Sequence, residues 1–280
     1  MTGLGIIAGG GDLPLAIAHD ARESGRPVFV AGLRGIADEE ISRFPHEWVS
    51  LGQVGRIFSL FRRNGCREVL LAGKLARPKW SNIKLDATAI LKLPKVMAAA
   101  AKGDDALLRS LVEILESEGF RVVSVTEAAP SLVAGEGAFG KHRPSDEDKA
   151  DIEFARNVVE MLGQLDVGQA AVVCKGLVLA VEAAEGTDAM LARIASLPEN
   201  IRGTPANRRG VLVKARKPTQ DGKTDLPVIG VQTVHNAAAA SLAGIAVDCA
   251  ALIVNRKAVI AAADEVGLFV LGFAPSNATG

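Results

Sequence analysis

The stretch GIIAGGGDLP, Gly5–Pro14, joins an apolar run to a proline-bounded helix start through three consecutive glycines and an acid. Its reading decides the fold. LGIIA (Leu4–Ala8) reads as a strand, and LPLAIAHDARESG (Leu13–Gly25) has helical periodicity with Gly25 as its stop. A dinucleotide fingerprint needs G-x-G-x-x-G at such a turn. Gly9 and Gly11 fit the first two positions, but Pro14 stands where the third glycine belongs. The next strand, PVFVAGL (Pro27–Leu33), does not end in an acid for a ribose hydroxyl, and no Gly-Lys-Ser/Thr follows to make a Walker loop. Two readings remain. Exposed amides of Gly9, Gly10, Gly11 and Asp12 at a helix start can hold a phosphate or another anion; alternatively, the glycines only make a tight turn.

Outward from this stretch, the first half alternates strands and helices. VGRIFSLFRRNGC (54–66) is a helix with Ile57, Leu60 and Phe61 on one face, and REVLLAG (67–73) is a strand. Two helical stretches follow, LDATAILKLPKVMAAAAKG (85–103) and DDALLRSLVEILESEGF (104–120), the second capped by Asp104 or Asp105 and ended by Gly119. RVVSVTEA (121–128) returns as a strand. This alternation predicts a Rossmann-like parallel sheet over residues 1–130, with helices on both faces. The pattern lapses in the Gly-, Pro- and charge-rich segment 131–148, expected to be a linker or functional loop. A second α/β domain is expected over 149–273. It opens with a helix (147–164) and continues with a hairpin in QAAVVCKGLVLAVEA turning at Lys175–Gly176. Next come a helix in GTDAMLARIASL capped by Thr187 or Asp188, strands in RGVLVKARKP and DLPVIG, a helix over His235–Gly244, a further strand and short helix, and the strand GLFVLGF. The tail 274–280 is expected to be disordered.

Composition agrees with two globular domains: 280 residues, 49% hydrophobic against 23% charged. Lys+Arg 32 balances Asp+Glu 32, so no overall field favours nucleic acid. Cys66, Cys174 and Cys249 have no metal-finger spacing, and their odd number suits a reducing compartment. The start has no basic region of the kind a signal peptide carries. The longest low-polarity window, Ala237–Val254, contains Asp248 and reads as a buried helix and strand rather than a membrane span. A soluble cytoplasmic protein is expected. Neither HExxH nor G-x-S-x-G occurs, which argues against a zinc site and a serine triad. His142 and His235 lie nearer the candidate site residues than His19 and His46 do.

Two sets of residues can carry chemistry. LLAGKLARPKW (70–80) closes a strand, so Gly73, Lys74 and Arg77 would face the crevice that Gly9–Gly11 face. Two cations there suit a polyphosphate or diphosphate, unless they are only solvated surface charges. The second half supplies acids: Glu182, Glu185 and Asp188 around Thr187 at a strand-to-helix turn, and Lys214, Lys217, Gln220, Asp221 and Asp225 around one loop. Oxygen ligands of this density suit Mg²⁺, which binds through one or two carboxylates plus substrate phosphates. Such an ion would neutralise a diphosphate and orient water, with Lys214 stabilising charge on the transferred group. Asp188 as a mere cap and Asp221–Gly222 as a mere turn remain alternatives.

Taken together, GIIAGGGDLP, LLAGKLARP, GDDALLRSLVEILESEGF, LDVGQAAVV, LAVEAAEGTDAML and GVLVKARKPTQDGKTDLPVIGVQT resemble the LpxI-type UDP-2,3-diacylglucosamine pyrophosphatases, in order from Leu4 to Phe273. The resemblance implies hydrolysis of UDP-2,3-diacylglucosamine to UMP and 2,3-diacylglucosamine 1-phosphate (lipid X), a cytoplasmic step of lipid A synthesis in Gram-negative bacteria. It also implies a divalent cation, normally Mg²⁺, and a substrate bound between two domains. Asp225, in TDLP, matches the family's key acid. Membrane contact would be peripheral, at the inner membrane, and a homodimer is the expected assembly. The rival readings are an NAD(P)-dependent oxidoreductase, against which Pro14 and the missing ribose acid weigh, and a non-catalytic carrier of nucleotide-sugar or lipid.

Overall fold

In the computed structural model, which describes residues 2–74, 85–101, 103–216 and 226–274, the glycine stretch joins a parallel strand to a helix. The chain divides into two units that part between Ser131 and Leu132. The first carries β1 (Gly3–Ala8), α1 (Leu13–Glu23), β2 (Val28–Leu33), β3 (His46–Val49), α2 (Val54–Arg63), β4 (Cys66–Ala72), α3 (Ala87–Ala100), α4 (Asp104–Ser117), β5 (Arg121–Val122) and α5 (Val125–Ala128). Its sheet has the order β3-β2-β1-β4-β5, with every pairing parallel. This is the doubly wound arrangement that the strand–helix alternation predicts. The chain reverses its winding between β1 and β4, so the Gly9–Gly11 and Gly73–Lys74 turns emerge side by side at the switch point.

Three local readings of this unit differ from expectation. β3 carries no strand signal in the sequence, because HEWV is a half-buried edge segment without clear alternation. RVVSVTEA forms only a two-residue strand, after which Ser124 accepts the Glu127 amide and starts α5. The cap position of α4 belongs to Gly103, at φ 119°, not to Asp104 or Asp105.

The second unit carries β6 (Gly137–Phe139), α6 (Asp146–Gln164), β7 (Ala170–Cys174), β8 (Leu177–Val181), α7 (Gly186–Ala195), α8 (Glu199–Arg202), β9 (Gly203–Thr204), β10 (Asn207–Arg208), β11 (Val211–Lys214), β12 (Val228–Ile229), α9 (Val231–Ala239), β13 (Gly244–Asp248), β14 (Leu252–Ile253), α10 (Arg256–Val266) and β15 (Phe269–Phe273). Its main sheet has the order β6-β15-β13-β11-β7-β8, parallel at its centre and antiparallel toward both edges. The segment 131–148, expected as a linker, contributes β6 to this sheet and then the Ser145–Asp148 capping box that starts α6. Its Gly-rich composition hid a short edge strand. The hairpin turns where expected: Lys175 and Gly176 both have positive φ, 53° and 74°, and the Asp151 carboxylate accepts both amides at 2.8 Å.

Strand alternation sorts the core into two faces. Ala171, Val173, Val211 and Val213 pack on α6 through Ile152, Ala155 and Val159. Val172, Leu212, Ile245 and Val247 pack on the other side with Met190, Leu191, Ile194, Val234 and Ala237. Lys214 follows Leu212 by two residues and leaves β11 toward α7. At that edge Lys214 is in register with Val247 and Ala170, Asp248 with Phe273, and Val181 with Ala171. Glu182, Lys214 and Asp248 therefore share the carboxyl edge of β11 and β13.

Candidate functional site

At the switch point of the first unit, the glycine turn is closed by backbone rather than open to solvent. Gly9 donates its amide to Ala72 at 2.8 Å, and Gly10 and Lys74 exchange amide–carbonyl bonds at 2.9 and 2.8 Å. A Cβ on Gly9 would lie 2.7 Å from the Lys74 carbonyl oxygen, and one on Gly73 2.7 Å from that of Gly10. These glycines allow two turns to touch. The amides of Gly9 and Gly10 are thus committed, which corrects the reading of all three glycines as outward donors. Gly11, at φ 86° with open space where a Cβ would stand, and exposed Asp12 remain at the head of α1. Arg77 lies outside the described residues.

The second unit assembles a buried polar chain. Glu182 and Lys214 are only 8% and 5% exposed. The Thr187 hydroxyl donates to Glu182 Oε1 at 2.7 Å and accepts from Lys214 Nζ at 2.8 Å. Lys214 also donates to the Val228 carbonyl at 3.2 Å, and Glu182 accepts the Gln169 amide at 3.4 Å. Each buried charge has partners, as a low-dielectric site requires. Thr187, a possible cap by sequence, does not cap α7: Glu185 holds that position without a side-chain cap, and the Thr187 hydroxyl is engaged inside the fold.

The other acids of that turn go elsewhere. Glu185 pairs with Arg193 at 2.8 Å, and Asp188 accepts from Asn236 at 2.9 Å, tying α7 to α9. Among the described residues, no group of three His, Cys, Asp or Glu could hold a metal ion. The residues Glu182, Glu185 and Asp188 do not converge as a ligand set. Gln220, Asp221 and Asp225 lie outside the described residues, as does Lys217. His142 approaches the Asp264 carbonyl at 3.4 Å, and His235 is exposed on α9.

Sequence reasoning did not single out one neighbouring pair. Arg216, just beyond β11, donates through Nε to Asp248 Oδ2 at 3.1 Å, while Asp248 Oδ1 accepts the Ala250 amide at 2.8 Å. Burial first, then the Asp248 carboxylate, raises the Cys249 thiol above its ordinary value. The available signal was a lone acid closing the apolar run GIAVD.

Comparison with known proteins covers both units. Residues 3–132 match the family described as LpxI N-terminal domain, and residues 135–271 match the LpxI C-terminal domain. A UDP-2,3-diacylglucosamine pyrophosphatase LpxI from Caulobacter vibrioides is 49% identical over 278 residues, covering 99% of each chain. A solved chain of CobK precorrin-6A reductase aligns with 100% of this chain and 90% of its own, at a TM-score of 0.30 and 11% identity, too distant to bear on the fold.

Proposed function

The chain belongs to the LpxI family, and from that premise we propose that it is a UDP-2,3-diacylglucosamine pyrophosphatase of lipid A synthesis. Water adds to one phosphorus of the diphosphate and the P–O–P bridge breaks. UMP and 2,3-diacylglucosamine 1-phosphate leave as two phosphomonoesters, with no change of oxidation state. The observation that carries the reading within the structure is the Glu182–Thr187–Lys214 chain, which fixes a buried ammonium at the carboxyl edge of a sheet. A fixed cation there can stabilise charge gathering on phosphate oxygens without reorganising. Glu182 and Thr187 hold it; Asp225, in the family-matching TDLP stretch, is assigned the key acidic role, with Asp221 and Gln220 beside it in sequence. Gly11, Asp12, Lys74 and Arg77 are proposed to bind the anionic substrate.

We propose that turnover depends on a divalent cation, Mg²⁺. Among the described residues no three metal-binding side chains converge: Glu182 accepts from Gln169 and Thr187, and Glu185 and Asp188 are paired elsewhere. An ion would rely on Asp221 and Asp225, and no step is derived through it. Among the described residues no helix is long and apolar enough to cross a membrane. Exposed Ile90, Leu91 and Met97 on α3 support peripheral contact with the membrane that carries diacylated lipid. Exposed Phe154 and Met161 on α6, with Leu165 at its C-cap, support a homodimer. A cytoplasmic location follows from the proposed substrate. The test is Asp225→Ala, which should fold and bind substrate but lose most UMP release; near-normal hydrolysis overturns the assignment.

A further inference from the structure

The carboxyl edge of the second sheet carries a second cation, Arg216, oriented by a buried acid. Arg216 stands two residues beyond Lys214, and its partner Asp248 stands one residue beyond Val247, the residue in register with Lys214. The Asp248 side chain is 4% exposed, whereas that of Arg216 is 38% exposed. The carboxylate is satisfied on both sides: Oδ2 by Arg216 Nε, Oδ1 by the Ala250 amide. Only Nε of the guanidinium is engaged among the described residues. Among the described residues, Nη1 and Nη2 have no hydrogen-bond partner. A guanidinium is planar, and fixing Nε orients the remaining fork of donors. That fork matches the spacing of two oxygens on one phosphate.

We propose that Arg216 grips a phosphate group of the nucleoside diphosphate substrate, and that Asp248 is the positioning residue that aims it. This rests on the pyrophosphatase reading, to which it adds a diphosphate-binding residue. A surface ion pair alone would leave Arg216 free to rotate among solvent partners. Here the buried carboxylate removes that freedom before substrate arrives, and preorganisation of this kind strengthens binding without new contacts.

The experiment uses the full chain. Steady-state hydrolysis of UDP-2,3-diacylglucosamine is measured for wild type, R216Q, R216K, D248N and the R216Q/D248N double variant, and UDP binding is measured by calorimetry. R216Q should lower kcat/KM by about 10- to 100-fold, the range of a hydrogen-bonded charge contact, and weaken UDP binding about tenfold. R216K should recover part of the kcat/KM loss, because its ammonium keeps the charge but cannot hold carboxylate and phosphate together. D248N should lower kcat/KM several-fold in the Arg216 background and have no further effect in R216Q, a non-additivity that a purely structural acid would not produce. An R216Q enzyme within twofold of wild type in both assays overturns the proposal, as does a D248N effect that persists undiminished in R216Q. If R216Q fails to fold, R216K decides: unchanged kcat/KM overturns the proposal, and at least a fivefold loss supports it. A wild-type chain that releases no UMP defeats the pyrophosphatase reading itself; the UDP-binding comparison still tests Arg216.

Discussion

Replacing Thr187 by valine removes one hydroxyl from the middle of the buried chain while keeping the branched shape of the side chain. That hydroxyl makes two bonds to charged groups, at 2.7 Å to Glu182 and 2.8 Å from Lys214. Hydrogen bonds to charged groups contribute about 1.5–3 kcal/mol each, so loss of both has an upper bound of about 6 kcal/mol. Two facts lower the figure. Glu182 keeps the Gln169 amide and Lys214 keeps the Val228 carbonyl, and Thr187 itself is only half-buried. The expected loss is about 2–4 kcal/mol, with turnover reduced at least about tenfold because Lys214 loses its tie to Glu182. Thr187→Ser restores the hydroxyl and should stay within about 1 kcal/mol of wild type. Urea denaturation checks this, followed by far-UV circular dichroism for both units. Tryptophan fluorescence adds a probe of the first unit, since Trp48 and Trp80 both precede Ser131. A valine variant within about 0.5 kcal/mol of wild type, with unchanged turnover, would refute the claim that this hydroxyl couples the two charges.

Other perturbations test separate parts of the account. Gly9→Ala should destabilise the first unit by about 1–3 kcal/mol, because its Cβ meets the Lys74 carbonyl at 2.7 Å, whereas Gly11→Ala should cost about 1–2 kcal/mol through φ alone. Gly9→Ala matching wild type in a melting curve contradicts the close-approach explanation. Burial pushes the Cys66 thiol up to about 11 from 9.0. Its contribution to stability is therefore complete below the unfolded value and falls as pH rises through the folded one. Between pH 9 and about 11, wild type should lose stability relative to Cys66→Ala; parallel pH curves would show that the thiol is not held protonated. Chelation with EDTA should abolish UMP release and added Mg²⁺ should restore it, and full activity in EDTA removes the metal from the proposal.

The fold class was legible because its signals are local. β1 and β2 are apolar runs ending at glycine or beside it, β4 closes on the apolar VLLA before Gly73, and Gly176 marks the Lys175–Gly176 turn between two strand-like runs. β3 and β6 were not legible, since each is a short edge strand whose pairing depends on a distant partner. The same limit applies to the site. Lys214, Thr187 and Glu182 could each be picked out by residue type, but their joining is a consequence of sheet register across 32 residues. Register also brings Asp248 to Arg216, and converts Thr187 from an expected cap into a bridge. The triple glycine leaves its two readings open for a related reason: the partner that closes on Gly9 and Gly10 is the turn at Lys74, more than 60 residues away.

The most direct test follows the phosphorus. Purified chain is incubated with UDP-2,3-diacylglucosamine and Mg²⁺, and the products are resolved by ³¹P NMR, for wild type and for Asp225→Ala. With wild type the diphosphate signals should give way to UMP and 2,3-diacylglucosamine 1-phosphate, while Asp225→Ala should bind the substrate and leave it intact. Persistence of the diphosphate with folded wild-type chain, or equal hydrolysis by Asp225→Ala, would contradict the proposed function.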